Sequence, residues 1–275
     1  MTILTVKAAF EAAQACGLAR IDAQLLMLHA LNKPDTDRAW LVAHDQDLLD
    51  GKALDDFRAF SLRRVAGEPL AYITGFKEFF GLRFAIDKRV LVPRPDTETL
   101  VQWALDVLQG ISSAQVLDLG TGSGAVAIAI AHRLDCTVTA TDISSGALTV
   151  ASDNALRLAT NIQCVQSSWF ANVHTRFHLV VSNPPYIADA DPHLDALLHE
   201  PINALTAGND GLRDIRHIVQ QAPEHLKPGG WLLLEHGYNQ AAAVRELLAN
   251  RGFSQVKTRL DLPGIERCSG GQWAN

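Results

Sequence analysis

Apolar residues recur with helical spacing from Thr5 to about Gly75. In two successive segments they fall on one face, at Val6, Ala9, Phe10 and Ala13 and then at Ile21, Leu25 and Leu28. Spacings of three and four residues are typical of amphipathic helices. Glycine and proline turns separate the segments, so residues 1–75 are predicted to form a small helical bundle.

The periodicity then changes from that of helices to that of strands. Residues 79–86 are aromatic and β-branched around a central glycine, which is typical of a β-hairpin. We therefore interpret residues 76–92 as a two-stranded connector and residues 93–275 as a separate domain. Near the start of that domain, Asp96 or Thr97 is expected to cap a helix.

Apolar segments alternate with amphipathic helical segments in the domain from residue 93 onward. The apolar segments are Ala114 to Leu119, Thr137 to Ala140, Ile162 to Gln166, Leu179 to Ser182, and Trp231 to Glu235. Such strands indicate a parallel sheet that helices cover on both faces. Two more polar segments, Gln255 to Leu260 and Glu266 to Trp273, are expected at the edge. The predicted fold class is α/β, a Rossmann-like, mostly parallel sheet with an antiparallel edge strand, preceded by the helical bundle.

Composition and charge narrow the class of protein. The chain has 275 residues, of which 48% are hydrophobic and 20% charged, as in ordinary globular proteins. A net charge of −6 disfavours a protein that binds by neutralising many phosphates, so no stable nucleic-acid binding is expected. The sequence shows neither an export signal nor an apolar run that could span a bilayer, which predicts a cytoplasmic protein without membrane attachment. We expect a monomer.

The cysteines do not suggest a disulfide framework. Cys16, Cys136, Cys164 and Cys268 are widely spaced and form no CxxC pair. They are expected to be reduced thiols.

A glycine-rich turn follows the first apolar strand of the domain. The run is Asp118, Leu119, Gly120, Thr121, Gly122, Ser123, Gly124. Its three glycines let the backbone approach a nucleotide-like ligand at the carboxyl end of the strand. The glycines also fit the relaxed dinucleotide pattern, but Asp118 favours S-adenosylmethionine, since a carboxylate can bind the cationic amino-acid end of that molecule. The structural alternative is a strand-to-helix turn without a ligand.

Asp142 ends the second apolar strand of the domain. A carboxylate at this position can accept hydrogen bonds from both ribose hydroxyls, in NAD enzymes and methyltransferases alike. Alternatively, Asp142 and Ser144 only cap the next helix. Asp142 therefore supports a nucleoside ligand without identifying the reaction.

The run Asn183, Pro184, Pro185, Tyr186 follows the fourth apolar strand. The Asn183 side-chain oxygen and the Pro184 carbonyl can accept both hydrogens of a substrate NH2 group, and two prolines hold this backbone rigidly. The structural alternative is a turn stiffened by its prolines. Beside a nucleoside pocket, the run favours methylation of a planar, conjugated NH2 nitrogen.

Such a nitrogen is a poor nucleophile because its lone pair is delocalised. Holding the nitrogen in line with an electrophilic methyl group is then the main catalytic resource. Tyr186 can stack on the flat substrate group, and its π face suits a sulfonium cation. No general base is strictly required, since the methylated nitrogen becomes acidic and can lose its proton afterwards.

Two other groups of residues carry weaker signals. His174 and His178 have helical metal-ligand spacing, but the second enters an apolar strand and no third ligand is near, so no metal is expected. Glu235 and His236 close the fifth strand and are interpreted as a possible pocket wall without a catalytic role.

With these residues in view, the chain resembles the bacterial peptide chain release factor N5-glutamine methyltransferases over nearly its whole length. The matching runs are Pro93 to Glu98 (PRPDTE), Asp118 to Gly124 (DLGTGSG), Asn183 to Tyr186 (NPPY), Asp191 to Leu194 (DPHL), and Leu233 to Gly237 (LLEHG). NPPY alone occurs in several amino-methyltransferase families. Its combination with PRPDTE and an N-terminal helical domain is more specific.

The resemblance implies methyl transfer from S-adenosyl-L-methionine, which becomes S-adenosyl-L-homocysteine, to the glutamine nitrogen in the GGQ motif of class I release factors. It implies that the cofactor contacts the turn from Gly120 to Gly124, Asp142, Trp169 and Asn183. Asn183 to Tyr186 would hold the glutamine, and the helical domain would dock the release factor.

The chain departs from the family pattern at two places. Family members commonly have an acid before the tryptophan that follows the third strand, whereas here Ser168 precedes Trp169. A serine accepts a hydrogen bond more weakly than a carboxylate, which bears on cofactor affinity. The tail also reads Gly270-Gly271-Gln272, a copy of the substrate motif that we interpret as coincidence within a last strand.

Three other functions compete with this interpretation. An adenine-N6 methyltransferase acting on DNA or RNA would also take a planar NH2, and its flipped base could stack on Tyr186. The acidic balance and the lack of a basic recognition domain count against it. An NAD-dependent dehydrogenase leaves Asn183 to Tyr186 unexplained. A binding module on an inactive core is disfavoured by the intact Asp118, Asp142 and Asn183.

Overall fold

The structure is a computed structural model that describes residues 4–274. Its contacts divide the chain into two compact units, with the boundary between Phe76 and Lys77. The N-terminal unit is helical, and the C-terminal unit is built around a sheet. Almost all of the segment interpreted as a connector groups with the C-terminal unit. Among the described residues, no helix is long and apolar enough to cross a membrane.

The N-terminal unit is a bundle of short helices, as the apolar spacing predicted. They are α1 (Val6–Ala15), α2 (Arg20–Ala30), α3 (Arg38–Ala43), α4 (Gly51–Val65) and α5 (Leu70–Thr74). Helix α2 packs against the other four helices. Its residues Leu26, Met27 and Leu28 are buried, and Phe57 of α4 joins them in one core. Each such side chain contributes about 1.5–3 kcal/mol by leaving water.

Polar caps fix where two of these helices begin. Thr5 Oγ1 accepts a hydrogen bond from Ala8 N at 3.1 Å at the start of α1. Asp50 Oδ1 accepts one from Ala53 N at 2.7 Å at the start of α4. A side-chain cap satisfies a first-turn N–H that has no partner within the helix. Gly75 ends α5 with a φ of 79°, in the left-handed region that glycine adopts readily.

The predicted hairpin is present as β1 (Phe76–Phe79) and β2 (Leu82–Ala85). Phe79 and Phe84 are buried and meet edge to face, with ring centroids 6.1 Å apart. The Asn154 side chain binds the backbone of Ala85 through two hydrogen bonds, of 2.7 and 3.0 Å. A third hydrogen bond joins Asn154 to the Ser123 carbonyl, so one buried amide links the hairpin to the glycine-rich turn.

A seven-stranded sheet with helices between its strands forms the rest of the C-terminal unit. The helices are α6 (Glu98–Leu108), α7 (Ala125–Arg133), α8 (Ser145–Arg157), α9 (Arg213–His225) and α10 (Ala241–Arg251). The strands are β3 (Ala114–Leu119), β4 (Cys136–Asp142), β5 (Gln163–Gln166), β6 (Phe177–Ser182), β7 (Leu226–Glu235), β8 (Ser254–Leu260) and β9 (Glu266–Gln272). The spatial order is β5-β4-β3-β6-β7-β9-β8.

The directions of the strands confirm the mostly parallel α/β fold. Strands β3 to β7 pair in parallel, and β9 is antiparallel to both β7 and β8. The expectation that β9 lies at the edge was wrong, because β9 is inserted between β7 and the true edge strand β8. Its polar-looking sequence is misleading, since the small residues from Cys268 to Gly271 are all buried.

The parallel strands end at one edge of the sheet, and this edge positions the candidate site. Leu119 of β3 is in register with Thr141 of β4 and with Ser182 of β6, and Ser182 is in register with Leu234 of β7. The glycine-rich turn, Asp142, Asn183 and Glu235 are all at or next to these strand ends. Ligands of open α/β sheets bind at such an edge.

Candidate active site

The glycine-rich turn leaves β3 with a backbone that most residues cannot adopt. Gly120 and Gly122 have φ values of 70° and 54°. A Cβ on Gly122 would meet nothing within 4 Å, and one on Gly120 would only touch Trp169, so backbone conformation and not space requires glycine here. The turn thus exposes its backbone to the adjoining cavity.

Gly124 has a different role from its neighbours in the turn. A Cβ at this position would lie 2.9 Å from Ile128 Cδ1 and 3.1 Å from Ala151 Cβ. Gly124 does not line the cavity. It therefore allows α7 to pack closely against α8.

Asp118 places a buried carboxyl group beneath this turn. The residue is 2% exposed, and its Oδ2 accepts a hydrogen bond from Thr121 Oγ1 at 2.6 Å. Burial raises the pKa of Asp118 to about 7, while the hydrogen bonds from Thr121 and from the Ala127 backbone oppose that rise. A cation placed beside the carboxyl group would favour its charged form. The site is suited to an ammonium group.

Asp142 braces the glycine-rich turn from β4. Its Oδ2 accepts a hydrogen bond from Gly122 N, and its Oδ1 accepts one from Ser144 N, both at 2.9 Å. Ser144, and not Asp142, caps α8, since its Oγ accepts from Ala147 N at 3.2 Å. Burial raises the pKa of Asp142, and its backbone hydrogen bonds oppose the rise. Each carboxylate oxygen keeps a lone pair for a ligand hydroxyl.

A cavity of about 320 Å³ lies over these residues. This volume is within the range of small-molecule sites. Of the predicted site residues, those that line it are Asp118, Gly120, Thr121, Gly122, Ser123, Asp142, Trp169, Asn183 and Pro185. Ser168 also lines it, whereas Gly124, Pro184 and Tyr186 do not. The buried Asp118, the half-buried Asp142, the open glycine turn and the Trp169 indole ring fit the amino-acid, ribose and adenine parts of S-adenosylmethionine.

Asn183 directly follows β6, and of its two side-chain amide atoms the nitrogen is hydrogen-bonded and the oxygen has no partner among the described residues. Its Nδ2 donates a hydrogen bond to Thr97 Oγ1 at 3.2 Å. Its Oδ1 is buried and has no hydrogen-bond partner among the described residues. A buried acceptor without a partner is costly and rare in native proteins. Asn183 Oδ1 is therefore a ready acceptor for a substrate N–H.

Thr97 does not have the role predicted from the sequence. Neither Asp96 nor Thr97 caps α6 with its side chain, because Pro95–Thr97 forms a 3₁₀ turn that leads directly into the helix. The Thr97 hydroxyl meets Asn183 instead, and the Asp96 carboxylate pairs with Arg267 at 3.2 Å. Both contacts join distant parts of the chain, which a local capping rule does not detect.

Tyr186 and Glu235 lie behind the cavity wall. Tyr186 Oη donates a hydrogen bond to Glu235 Oε1 at 3.3 Å, and burial raises the Tyr186 pKa. Glu235 is 1% exposed, and burial raises its pKa to about 7. His236 Nε2 pairs with Ser269 Oγ at 2.8 Å. Neither Glu235 nor His236 lines the cavity, contrary to the sequence-based interpretation. Glu235 is connected to the substrate motif through its hydrogen bond with Tyr186.

One wall of the cavity was not predicted from the sequence. It comes from the segment after Tyr186, which contains the short 3₁₀ helices Pro192–Leu197 and Ile202–Ala204. Pro201, Asn203 and Ala204 of this segment line the cavity. The buried carboxylate of Glu200 anchors this segment by accepting from Val92 N at 3.0 Å and pairing with Arg94. The sequence of this segment shows no helical or strand periodicity. The charge of Glu200 is the feature that could have indicated its pairing with Arg94 and Val92.

Of the two histidines considered for a metal, His178 lies in strand β6 and His174 precedes that strand. His178 Nδ1 accepts a hydrogen bond from Gln115 N at 2.9 Å. Within residues 4–274, no group of three or more His, Cys, Asp and Glu side chains is arranged to hold a metal ion.

The C-terminal GGQ run is built into the sheet. A Cβ on Gly270 would lie 2.5 Å from Leu233 Cδ2, and one on Gly271 would lie 2.8 Å from Phe253 Cβ. Gln272 Nε2 donates a hydrogen bond to the Gly229 carbonyl at 2.9 Å. Close packing within the sheet accounts for both glycines without any reference to a substrate.

The sheet topology and the site define an S-adenosylmethionine-dependent methyltransferase. The family model described as the methyltransferase small domain matches residues 97–259, and the PrmC N-terminal domain matches residues 4–75. The chain belongs to the release factor glutamine methyltransferase family. It is 48% identical over 262 residues to the release factor glutamine methyltransferase of Bordetella pertussis, covering 93% of this chain and 95% of that one. The protein of that name from Burkholderia pseudomallei is 49% identical over 275 residues, covering 96% and 95%.

A solved structure agrees with this fold. The crystal structure of a methyltransferase from Pyrococcus furiosus superposes with a TM-score of 0.56 at 21% identity, covering 78% of this chain and 98% of that chain. The resemblance read from the sequence is confirmed. The dehydrogenase and inactive-core alternatives were wrong, because the family is one of methyltransferases.

Proposed function

We propose that this chain methylates the side-chain amide nitrogen, N5, of the glutamine in the GGQ motif of class I peptide chain release factors. The observation that carries the proposal is the buried Asn183 Oδ1, which lacks a partner among the described residues and belongs to a residue lining the cavity. A primary amide of a substrate would satisfy it. The curated relatives are named for methylation of release factor glutamine, which supports the same substrate.

The cofactor residues of the proposal are those that line the cavity beside Asn183. Asp118 binds the ammonium group of S-adenosylmethionine and Asp142 its ribose hydroxyls. The turn from Gly120 to Gly124 provides the backbone surface, and Trp169 covers the adenine. When bound, the cofactor supplies an electrophilic methyl group and leaves as S-adenosyl-L-homocysteine.

The substrate residues act by positioning. Asn183 Oδ1 accepts one N–H of the glutamine amide within the cavity, and we assign the second to the carbonyl of Pro184, which lies between the lining residues Asn183 and Pro185 without itself lining the cavity. Together they fix the weakly nucleophilic nitrogen. Pro185 stiffens the backbone beside the cavity. Tyr186 is held by Glu235 and supports the flat substrate group from behind the cavity wall. The product nitrogen loses its extra proton to water, so no residue is assigned as a general base.

The partner of the proposal is a protein. We assign docking of the release factor to the helical N-terminal unit, which the PrmC N-terminal domain model matches. The chain acts as a monomer and forms no stable complex with nucleic acid, in keeping with its net charge of −6.

The test is to incubate the protein with methyl-labelled S-adenosylmethionine and, separately, a class I release factor and bulk DNA. Mass spectrometry of the products then locates the label. A single methyl on the GGQ glutamine supports the proposal, and a release factor with alanine in place of that glutamine is the matched control. Label in adenine would establish the nucleic-acid alternative instead, and label in neither would refute the proposed substrate.

A further inference from the structure

Residues 188–204 form a closed surface loop beside the cavity. The ends of the loop meet because Ile187 N donates a hydrogen bond to the Leu205 carbonyl and Ala207 N donates one to the Ile187 carbonyl, both at 2.9 Å. All residues of the loop are described, and Glu200 is the only one of them that is buried. Long surface segments are usually held by clusters of apolar side chains. This loop is held between its ends by a carboxylate instead.

Both oxygens of the Glu200 carboxylate are used in this attachment. Oε2 accepts a hydrogen bond from Val92 N at 3.0 Å, and Oε1 pairs with Arg94 Nη2. The Glu200 side chain is 2% exposed and that of Arg94 is 38% exposed. Hydrogen bonds to a charged acceptor are strong and directional. A buried ion pair often stabilises a protein no more than apolar residues of similar volume would, so its distinctive effect here is to fix one position of the loop.

The Glu200 contacts join two walls of the cavity. On one side, the Arg94 carbonyl accepts a hydrogen bond from Thr97 N at 3.2 Å, and Thr97 Oγ1 accepts one from Asn183 Nδ2 at 3.2 Å. Arg94, Thr97 and Asn183 all line the cavity. On the other side, three residues that follow Glu200 in the loop line the same cavity: Pro201, Asn203 and Ala204.

We propose that Glu200 is a positioning residue for methyl transfer, which holds the loop 188–204 against Val92 and Arg94 and keeps Thr97 opposite the Asn183 amide. The inference rests on the proposed function, because it assigns Asn183 Oδ1 to the glutamine N–H. Glu200 does not line the cavity, so it acts through other residues. Without its contacts the glutamine nitrogen leaves the line of attack on the methyl group, which lowers the rate of transfer.

The first test is Glu200→Gln, which preserves the volume and an acceptor for Val92 N but removes the charge that pairs with Arg94. With release factor as substrate and saturating S-adenosylmethionine, kcat should fall by about tenfold or more, the effect of one lost charge-assisted hydrogen bond. The KM for release factor and the Kd for S-adenosylmethionine should both stay within about threefold of wild type, because the docking surface and the cofactor residues are unchanged.

Asp195→Asn is the matched control, since it removes one negative charge from an exposed position of the same loop. Its kcat should stay within about twofold of wild type. A merely structural role of Glu200 would lower stability in urea unfolding and cofactor affinity while leaving the kcat of the folded protein unchanged. That result, or a rise in KM with an unchanged kcat, would overturn the positioning role.

A second test asks whether Glu200 and Arg94 act as a pair. Arg94→Gln should lower kcat about as much as Glu200→Gln does, and the double variant should lose no more than the larger of the two single losses. The double variant leaves no unpaired charge, so it keeps the test valid if Arg94→Gln does not fold. Losses that multiply in the double variant would mean that the two residues act separately, which contradicts the proposal.

A measurement without release factor distinguishes failure of this inference from failure of the proposed function. In Glu200→Ala, or in Glu200→Gln if the alanine variant does not fold, hydrogen exchange of the amides in residues 188–204 should rise at least about tenfold, with the amides of β3 unchanged. If it does so while wild type fails to label the release factor, only the proposed substrate is wrong. Unchanged exchange, or wild-type kcat in Glu200→Gln when wild type labels the release factor, would refute the role of Glu200.

Discussion

Replacement of Asp118 by asparagine should stabilise the cofactor-free protein and weaken cofactor binding at the same time. Asp118 is 2% exposed, and burial raises its pKa from 3.8 to about 7. Since each pKa unit corresponds to 1.36 kcal/mol, the buried charge costs the folded state about 4 kcal/mol. Asparagine removes the charge, and the Thr121 hydroxyl can accept from its NH2 as readily as it donates to the carboxylate.

The sign of the pH dependence follows from which state holds the proton more tightly. The folded state does so here, so Asp118 lowers stability as the pH rises from about 4 to about 7, and its full cost is present above about pH 7. The free energy of unfolding of Asp118→Asn relative to wild type should therefore be near zero at about pH 4. It should reach about 2–4 kcal/mol at about pH 8.

The assay is urea unfolding of both proteins without cofactor at several pH values, together with calorimetric titration of S-adenosylmethionine at about pH 8. Taking the difference between the two proteins cancels the titration of all other groups. The exposed Asp195 offers a matched control, since Asp195→Asn should change the stability by no more than about 0.5 kcal/mol. Cofactor affinity of Asp118→Asn should fall at least about tenfold, the loss of one charge-assisted contact.

Two results would refute this reasoning. A stability difference that is the same at about pH 4 and about pH 8 would mean that the Asp118 carboxyl group is not buried as a charge. Unchanged cofactor affinity would mean that Asp118 does not face the ammonium group, and the cavity would need another ligand orientation.

Three further predictions concern the site and the tail. Asn183→Ala should lower kcat about 10²- to 10³-fold in turnover assays and leave the S-adenosylmethionine Kd, measured by calorimetry, within about threefold of wild type. Near-normal turnover would mean that Asn183 does not hold the substrate amide. Gly270→Ala should destabilise the protein by about 2–4 kcal/mol in urea unfolding, because its Cβ would lie 2.5 Å from Leu233 Cδ2. Gln272→Ala should methylate release factor at the wild-type rate, and mass spectrometry should find no methyl on Gln272 of wild type; a self-methylated tail would contradict the sheet-bound interpretation.

Much of the site could be predicted from the sequence because each of its motifs is local. The apolar strand before Gly120 and the polar residues after β4 and β6 are read within a few neighbouring residues, and parallel strands bring their carboxyl ends to one edge. That rule predicts Asp118, Asp142 and Asn183 at one edge of the sheet, and all three line one cavity. The periodicity also distinguished the helical unit from the sheet.

The features that could not be predicted from the sequence are contacts between residues far apart in the chain. Thr97 was assigned to a helix cap, yet its hydroxyl meets Asn183, which lies 86 residues away. Glu200 anchors one cavity wall through Val92, 108 residues distant. Such pairings leave no period and no motif of their own, so no local rule could supply them.

The sequence by itself determined the alternation of strands and helices and the chemistry available at the strand ends, because hydrophobic period and residue type act over a few residues. Only the tertiary structure decided that β9 enters the sheet beside β7, that Gly124 serves packing, and that the Thr97 hydroxyl pairs with the Asn183 amide. Burial, which sets the raised pKa values of the acids, is a property of the packed chain. It depends on which distant side chains exclude water, and the order of residues along the chain does not state this.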